Sequence, residues 1–266
     1  MVVFDIPERD RDHNLNIMKK VLIIVLLLSF IPRGANAQLW KLRRYEVSAG
    51  LSTTQFFGDI GGFSRGENVL GLRDFSFRHT RLNINTGFKY RILDDVSARL
   101  NLTFGYFHST DKRGSNVERD FESRTLFFEP ALIGEYYFIK NKGENSFLIT
   151  KGEENLSLSF FSMIDFYVFT GVGGLSYHVK PNDILAPLAT KTNGFTAVIP
   201  VGFGVDMIYS DIFNFGVELG GRYVFSDNID GYSSQYSKSN DIYYFLNFKF
   251  TYKIKTGQNG LPSFVK

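Results

Sequence analysis

Long segments of strictly alternating apolar and polar residues constrain the fold of this chain more than any other feature. Between Arg81 and Ile92, the even-numbered residues are apolar or aromatic apart from Thr86, and the odd-numbered residues are polar or glycine. Successive side chains of a strand point to opposite faces, so this pattern predicts a strand with one apolar face. Globular strands usually have about five or six residues, whereas a tilted membrane strand needs about 9 to 11. The alternation therefore favours strands that cross a membrane.

Eight segments are predicted to be strands. The outward register of the glycine-rich segment from Met163 to His178 is not decided by the sequence. An even number of long strands with this period predicts an all-β fold, an eight-stranded antiparallel transmembrane β-barrel of the outer-membrane type. The predicted strands are residues 45–57, 81–92, 96–106, 126–138, 163–178, 201–207, 215–225 and 242–253.

Residues 18–37 have the pattern of a secretory signal peptide. Two lysines follow Met18, an apolar run follows them, and the segment ends on Ala35-Asn36-Ala37. This small-x-small ending predicts cleavage after Ala37, and the apolar run is shorter than the roughly 20 residues of a membrane helix. Residues 1–37 are thus predicted to be a leader, with Met18 the true start, and residues 38–266 an outer-membrane barrel domain.

The lengths of the connections predict the orientation of the barrel. Connections at 93–95 and 210–213 are short and are expected on the periplasmic side, together with both termini. Connections at 58–79, 108–123, 179–194 and 227–241 are long and are expected outside the cell. The connection at 140–162 is long for the periplasmic side, and two interpretations stay open for it: a protruding hairpin or a docking site for a periplasmic partner.

The predicted inward faces carry charges of both signs. An eight-stranded barrel is only just wide enough for its side chains to fill it, and buried charges are tolerated when they are paired. Glu218 and Arg222 share one face of a strand, and each is expected to pair with other strands. We therefore predict a salt-bridged plug formed by Glu46, Arg81, Lys89, Arg99, Glu129, Glu135, Glu218, Arg222 and Lys249.

Little in the sequence indicates catalysis or cofactor binding. His108-Ser109 and Ser176-x-His178 are candidate catalytic pairs, but polar residues at strand ends are the favoured interpretation. The chain has no cysteine and only four histidines, without the spacing of a metal site. A formal net charge of +3 does not suggest nucleic acid. We predict no enzyme activity, no cofactor, no metal and no small-molecule substrate; the predicted partner is outer-membrane lipid.

Three blocks of sequence resemble a family of outer-membrane barrels common in Bacteroidota. They are "RYEVSAGLSTTQFFGDIGG" (44–62), "IPVGFGVDM" (199–207) and "GVELGGRYVFSDNIDGYSS" (216–234). The family, long catalogued as a domain of unknown function, includes the PorG-type component of the type IX secretion system. The residues that match its motifs are Gly58, Asp59, Glu218, Gly220, Arg222, Asp227 and Asp230.

The resemblance implies an integral outer-membrane protein that acts as an anchor or scaffold with periplasmic components of the secretion machinery. The alternative is a free-standing barrel whose extracellular loops bind a ligand, a surface or a matrix. Asp227 and Asp230 could form a calcium site, but solvated turn residues are the favoured interpretation of both.

Overall fold

The computed structural model describes residues 39–62, 80–112, 116–141, 146–147, 161, 163–233, 240–257 and 259–263. The predicted leader, with its start at Met18 and its cleavage after Ala37, lies outside these ranges. The barrel belongs to the unit that begins at Trp40.

Eight antiparallel strands form a closed barrel, as the alternation predicted. Each strand pairs with the next along the chain, and β8 pairs back with β1 to close the sheet. A two-residue strand, β9 (Pro262–Ser263), pairs with the end of β8, and short 3-10 helices span Leu39–Arg43, Val117–Arg119 and Ala186–Leu188. The barrel strands are β1 (Tyr45–Phe57), β2 (Arg81–Arg91), β3 (Val96–Thr110), β4 (Glu122–Ile139), β5 (Ile164–Pro181), β6 (Asn193–Ile208), β7 (Phe213–Val224) and β8 (Ile242–Thr256).

Several strands run further than predicted. β3 continues to Thr110 and β4 begins at Glu122, so the predicted connection 108–123 shortens to 111–121. Likewise β5 continues to Pro181 and β6 begins at Asn193, which shortens 179–194 to 182–192. These extensions include polar and charged residues. The predicted strands are therefore too short, because their ends were placed where the hydrophobic alternation stops.

The register of β5 is set by its neighbours. Tyr167 lies opposite Tyr137 of β4 and Gly204 of β6, and both Tyr167 and Phe169 are buried inside the barrel. Outward positions of β5 instead carry small or exposed residues such as Val172. The glycines that obscured the period of β5 therefore lie in a strand whose faces are fixed by pairing.

The outer wall of the barrel is apolar and the interior is polar or aromatic. Exposed fractions reach 66% for Leu82, 64% for Val172 and 74% for Phe195. A water-soluble protein rarely exposes such a continuous apolar surface, whereas a barrel that spans lipid presents one all round. Among the described residues, no helix is long and apolar enough to cross a membrane.

The connections at one end of the barrel are all long, whereas those after β2 and β6 at the other end are short. We call the end that carries the connections after β1, β3, β5 and β7 the loop end, and the other the turn end. Most of the connection 140–162 lies outside the described residues, so the two interpretations offered for it stay open. Within it, Phe147 has helical backbone, and its ring stacks on Tyr209 of the β6–β7 turn with centroids 5.8 Å apart.

Candidate functional site: the filled barrel interior and its loop cap

A network of ion pairs fills the turn-end half of the interior. Lys89 of β2 lies at its centre, with its Nζ atom 2.9 Å from Glu135 and 3.5 Å from Glu46. The same ammonium donates a hydrogen bond of 2.7 Å to the hydroxyl of Tyr137. The network joined by these and neighbouring pairs contains four acids and four bases: Glu46, Glu135, Asp206, Glu218, Lys89, Arg91, Arg99 and Lys249.

Glu218 accepts hydrogen bonds from four side chains of other strands. Its Oε1 atom lies 2.6 Å from Arg99 Nη1 and 2.8 Å from Lys249 Nζ. The hydroxyl of Tyr167 donates to the same oxygen over 2.5 Å, and Asn247 donates to Oε2 over 3.2 Å. Arg99 comes from β3, on the opposite wall, so Glu218 links distant strands through the interior.

A second, separate pair lies closer to the loop end. The Nε atom of Arg222 donates to Glu129 Oε1 over 3.0 Å, and Tyr243 donates to Glu129 Oε2 over 2.6 Å. The guanidinium of Arg222 also lies over the ring of Phe245, 4.9 Å from its centroid. Glu218 and Arg222 thus pair with different partners on other strands and not with each other.

Aromatic and aliphatic side chains fill the interior beyond Arg222. The rings of Phe107 and Phe127 stack with centroids 4.2 Å apart, and Tyr243 lies 4.9 Å from Phe107. The sequence predicted a salt-bridged plug, and the structure adds this apolar layer between the ion pairs and the loops. The buried cluster comprises Phe56, Phe107, Phe127, Leu175, Tyr177, Val179, Val198, Val224, Ile229, Tyr243 and Phe245.

The long connections pack on one another to form a loop cap, defined by Ile60, Phe121, Leu185 and Tyr232. Each of these four residues comes from a different connection, and the first three are buried together with Tyr232 packed against them. Arg119 holds the cap from the side. Its guanidinium lies 4.6 Å from the ring of Phe121 and 5.0 Å from that of Tyr232.

Arg119 also joins two connections by hydrogen bonds. Its Nε and Nη2 atoms contact the carboxylate of Asp111 at 2.6 and 3.0 Å. Nη2 further donates to the backbone oxygen of Asp59 over 2.8 Å, and the same Asp111 accepts from the backbone N–H of Gly61. A guanidinium that contacts both oxygens of a carboxylate fixes the geometry of the pair in addition to neutralising its charge.

Two buried carboxyl groups lie beneath the cap. Asp230 accepts from the backbone N–H groups of Ile60 and Tyr232 at 3.1 and 3.0 Å. Asp241 accepts from the N–H of Ile229 at 2.9 Å. A Cβ atom on Gly58 would lie 2.6 Å from an Asp230 oxygen and 2.9 Å from an Asp241 oxygen. A larger residue at position 58 would therefore have to displace these two carboxyl groups.

The interpretation of Asp230 as a solvated turn residue is wrong. Its side chain is 1% exposed, because the loops fold back over the barrel mouth and bring backbone N–H groups to both of its oxygens. Burial, together with the nearby carboxylate of Asp59, raises the pKa of Asp230 to about 7. Asp227 is half-buried and accepts from the hydroxyl of Ser233. No group of acidic or histidine side chains in the described ranges is arranged to hold a metal ion.

Arg81 and the two histidine pairs lie at the loop-end rim. Arg81 takes part in none of the interior ion pairs described above. Its Nη2 atom contacts His108 Nδ1 at 2.7 Å, and the other ring nitrogen of His108 contacts Glu122. Ser109 points into the barrel, away from His108 on the outer wall. His178 contacts Asn193.

Sequence reasoning placed the inward charges but not every member of the network. Asp206 and Arg91 are absent from the predicted plug, yet Asp206 contacts both Lys89 and Lys249, and Arg91 pairs with Glu46. Tyr167 was missed because the register of β5 was undecided. The family-motif residues lie in two parts of the barrel. Glu218, Gly220 and Arg222 line the interior, and Gly58, Asp59, Asp227 and Asp230 lie in or beneath the loop cap.

One family model matches part of the chain. The model, described as a domain of unknown function (DUF6089), matches residues 149–259. This range contains β5 to β8 and the motif residues from Glu218 to Asp230. The match agrees with the predicted resemblance to a family of unknown function, and no curated protein matches the chain.

Solved structures of several outer-membrane proteins are similar to this barrel. Neisserial surface protein A is 12% identical, with 79% of this chain and 96% of that chain covered and a TM-score of 0.41. The attachment invasion locus protein Ail of Yersinia pestis is 8% identical, with 79% and 98% covered and a TM-score of 0.41. A major outer membrane protein from Thermus thermophilus is 12% identical, with 78% and 99% covered and a TM-score of 0.40.

Proposed function

We propose that the protein is a non-enzymatic anchor or scaffold in the outer membrane, which acts with the type IX secretion machinery. The apolar outer wall and the predicted signal peptide support the location. The resemblance of the residues from Glu218 to Asp230, a region inside the matched family model, supports the link to secretion. The orientation with both termini in the periplasm belongs to the same proposal.

The filled interior is the observation that carries the scaffold role. Arg222 and Glu129 are 1% and 0% exposed. The aromatic layer lies on their loop-end side, and the ion-pair network lies on their turn-end side. An eight-stranded barrel is only just wide enough for its side chains to fill it, and these three layers of described residues occupy its interior. Its function therefore depends on surfaces that face lipid, the cell exterior or the periplasm.

The loop cap favours the scaffold over a free-standing barrel that binds an external ligand. Ile60, Phe121 and Leu185 are buried against one another, and Arg119 spans two connections. These side chains pack on one another within the cap, while Val117, Ile184 and Leu188 of the same connections are exposed. The turn end exposes Leu42, Leu93 and Phe161, at 59%, 54% and 67%, and these side chains are available for contact with a periplasmic partner.

The experiment is affinity purification of the tagged barrel from cross-linked envelopes of its native host. We expect type IX components to co-purify with the full-length protein and to be lost when residues 142–160 are replaced by a short flexible linker. A matched control replaces residues 63–79, at the loop end, in the same way and should keep the partners. Loss of the gene should also abolish secretion of type IX cargo. Normal secretion without the gene would contradict the proposal.

A further inference from the structure

A groove runs along the outer wall of the barrel near the loop end. It crosses β3 to β6, with a volume of about 480 Å³. Ser176 and the backbone of Gly194 form its small-residue floor, because neither residue projects a large side chain from the wall. The rings and side chains that stand beside the floor are those of Phe104, Leu126 and Phe128, each exposed by 43–48%.

Cross-strand rows of residues give the groove a graded polarity. Phe104, Phe128 and Ser176 are paired in one row, and Leu126, His178 and Asn193 are paired in the next row toward the loop end. The row beyond pairs Arg124 with Lys180. The wall thus changes from apolar to polar to cationic within four residues of β4, or about 13 Å.

Arg124 and Lys180 are two cations that face each other across β4 and β5. Directly opposite residues on antiparallel strands have their Cβ atoms about 5 Å apart, and like charges there repel. Within the described ranges, no acidic side chain forms an ion pair with either residue. Glu122, the nearest acid on the same face of β4, is 3.0 Å from His108 and 2.9 Å from Lys112.

The position of these cations along the barrel matches the headgroup layer. The outward face of β4 is apolar from Leu126 to Phe138 apart from Gly134, and the apolar band of such barrels is about 25 Å tall. Arg124 lies one outward position beyond the band. A phosphate at this level would relieve the repulsion and would accept from a guanidinium fork and an ammonium together.

We infer that the groove and the cation pair bind one phosphorylated lipid of the surrounding leaflet. An acyl chain lies along Phe104 and Phe128, the polar backbone of the lipid meets His178 and Asn193, and the phosphate binds Arg124 and Lys180. The occupant is a lipid rather than free phosphate, since the row that pairs Arg124 with Lys180 lies directly next to the Leu126–His178 row that lines the groove. In the proposed orientation this is the outer leaflet. The site does not depend on the secretion role.

The test is lipid binding to the purified full-length barrel in detergent, read by native mass spectrometry. The probes are bisphosphorylated lipid A, the same lipid after removal of its phosphates, and inorganic phosphate. We expect one lipid A per barrel to be retained, with at least about tenfold weaker binding of the dephosphorylated lipid. Inorganic phosphate should not compete at concentrations that saturate the lipid.

Two variants separate the parts of the site. Arg124→Gln with Lys180→Gln should weaken lipid A binding by about tenfold or more, whereas Lys41→Gln with Lys255→Gln, at the turn end, removes the same charge and should leave it unchanged. Ser176→Trp fills the groove and should also weaken lipid binding, with the cations intact. Heat-modifiable gel mobility verifies that each variant is folded. The inference would be overturned if the two double variants bound lipid A equally well. It would also be overturned if the dephosphorylated lipid bound as tightly as lipid A, or if inorganic phosphate competed with lipid A.

Discussion

Arg222 of β7 and Glu129 of β4 meet inside the barrel, with the Arg222 Nε atom 3.0 Å from Glu129 Oε1. Two other strands lie between β4 and β7 in the sheet. The pair is therefore a tether across the interior and not a contact between neighbouring strands. Both side chains are buried, so they close the interior at this level. Removing either charge would leave the other buried and unpaired, which costs free energy of unfolding.

Removing one side of this tether should destabilise the barrel strongly. Arg222→Met leaves Glu129 buried with Tyr243 as its remaining partner, and breaking a buried pair costs about 3 to 5 kcal/mol. We expect the free energy of unfolding in urea to fall by about that amount. The measurement is the loss of the fast-migrating folded form on unheated gels as a function of urea.

The double variant Arg222→Met with Glu129→Leu is the control for this prediction. Replacing both charges by apolar side chains of similar volume removes the uncompensated carboxylate, so we expect it to recover much of the lost stability. A double variant that is as unstable as Arg222→Met would show that the cost comes from packing rather than from the unpaired charge.

Glu218→Ala should have a similarly large effect. It removes the acceptor shared by Arg99 and Lys249 and leaves two buried cations with fewer partners, so we expect a loss of about 3 to 5 kcal/mol. Glu118→Ala makes the same change at an exposed position and should cost at most about 1 kcal/mol. Equal stability of the two variants in the same urea titration would argue that water reaches Glu218.

Much of this interior could be predicted from the sequence, because a period of two assigns each residue of a regular strand to a face. Glu218 and Arg222 were assigned inward on that basis. Which residue each one contacts could not be predicted, since partners such as Arg99 and Glu129 lie on the far wall, and their distance depends on closure of the whole barrel. In β5, consecutive glycines hide the period, and only pairing with β4 and β6 decides that Tyr167 points inward.

The loop cap lay beyond sequence reasoning for a different reason. Ile60, Phe121, Leu185 and Tyr232 come from four connections without periodicity, and each is separated from the others by at least one full strand. Asp230 was taken for a solvated turn residue because a local view of "SDNIDG" cannot show that another connection covers it. The close approach of Gly58 to Asp230 is visible only in the folded chain.

Arg119→Lys should loosen the loop cap. Lysine keeps the charge but loses the two-point contact with Asp111 and the stacking on Phe121 and Tyr232. We expect faster cleavage of the loop-end connections by chymotrypsin, by about tenfold if roughly 1.4 kcal/mol of local stability is lost. Arg43→Lys, at the turn end, should leave the rate of cleavage unchanged. A similar rate for both variants would mean that Arg119 does not hold the cap.

The cap should also lose stability as the pH rises. Burial raises the pKa of Asp230 to about 7 and that of Asp241 well above its usual range, with the carboxylates of Asp59 and Asp227 nearby adding to both shifts. An unfolded aspartate titrates near 4, so between about pH 4 and pH 7 the folded cap binds more protons than the opened one. Its stability is complete below this window and falls by up to about 1.4 kcal/mol per pH unit per proton within it.

Hydrogen exchange at the N–H groups of Ile60, Tyr232 and Ile229 measures this effect, because each donates to Asp230 or Asp241. Protection, corrected for the intrinsic exchange rate, should decrease from pH 5 to pH 8. Asp241→Asn keeps an acceptor for Ile229 and removes one carboxylate, so its protection should depend less on pH. Protection that stays constant or increases with pH in the wild type would refute the prediction.

The conductance of the purified barrel in a planar lipid bilayer tests the filled interior most directly. Insertion is verified by protection of the strands from protease in the same vesicles that are fused to the bilayer. The ion pairs around Lys89 and Glu218 and the aromatic layer around Phe127 predict a barrel that inserts without opening a channel. Reproducible conductance steps from inserted wild-type protein would contradict the account.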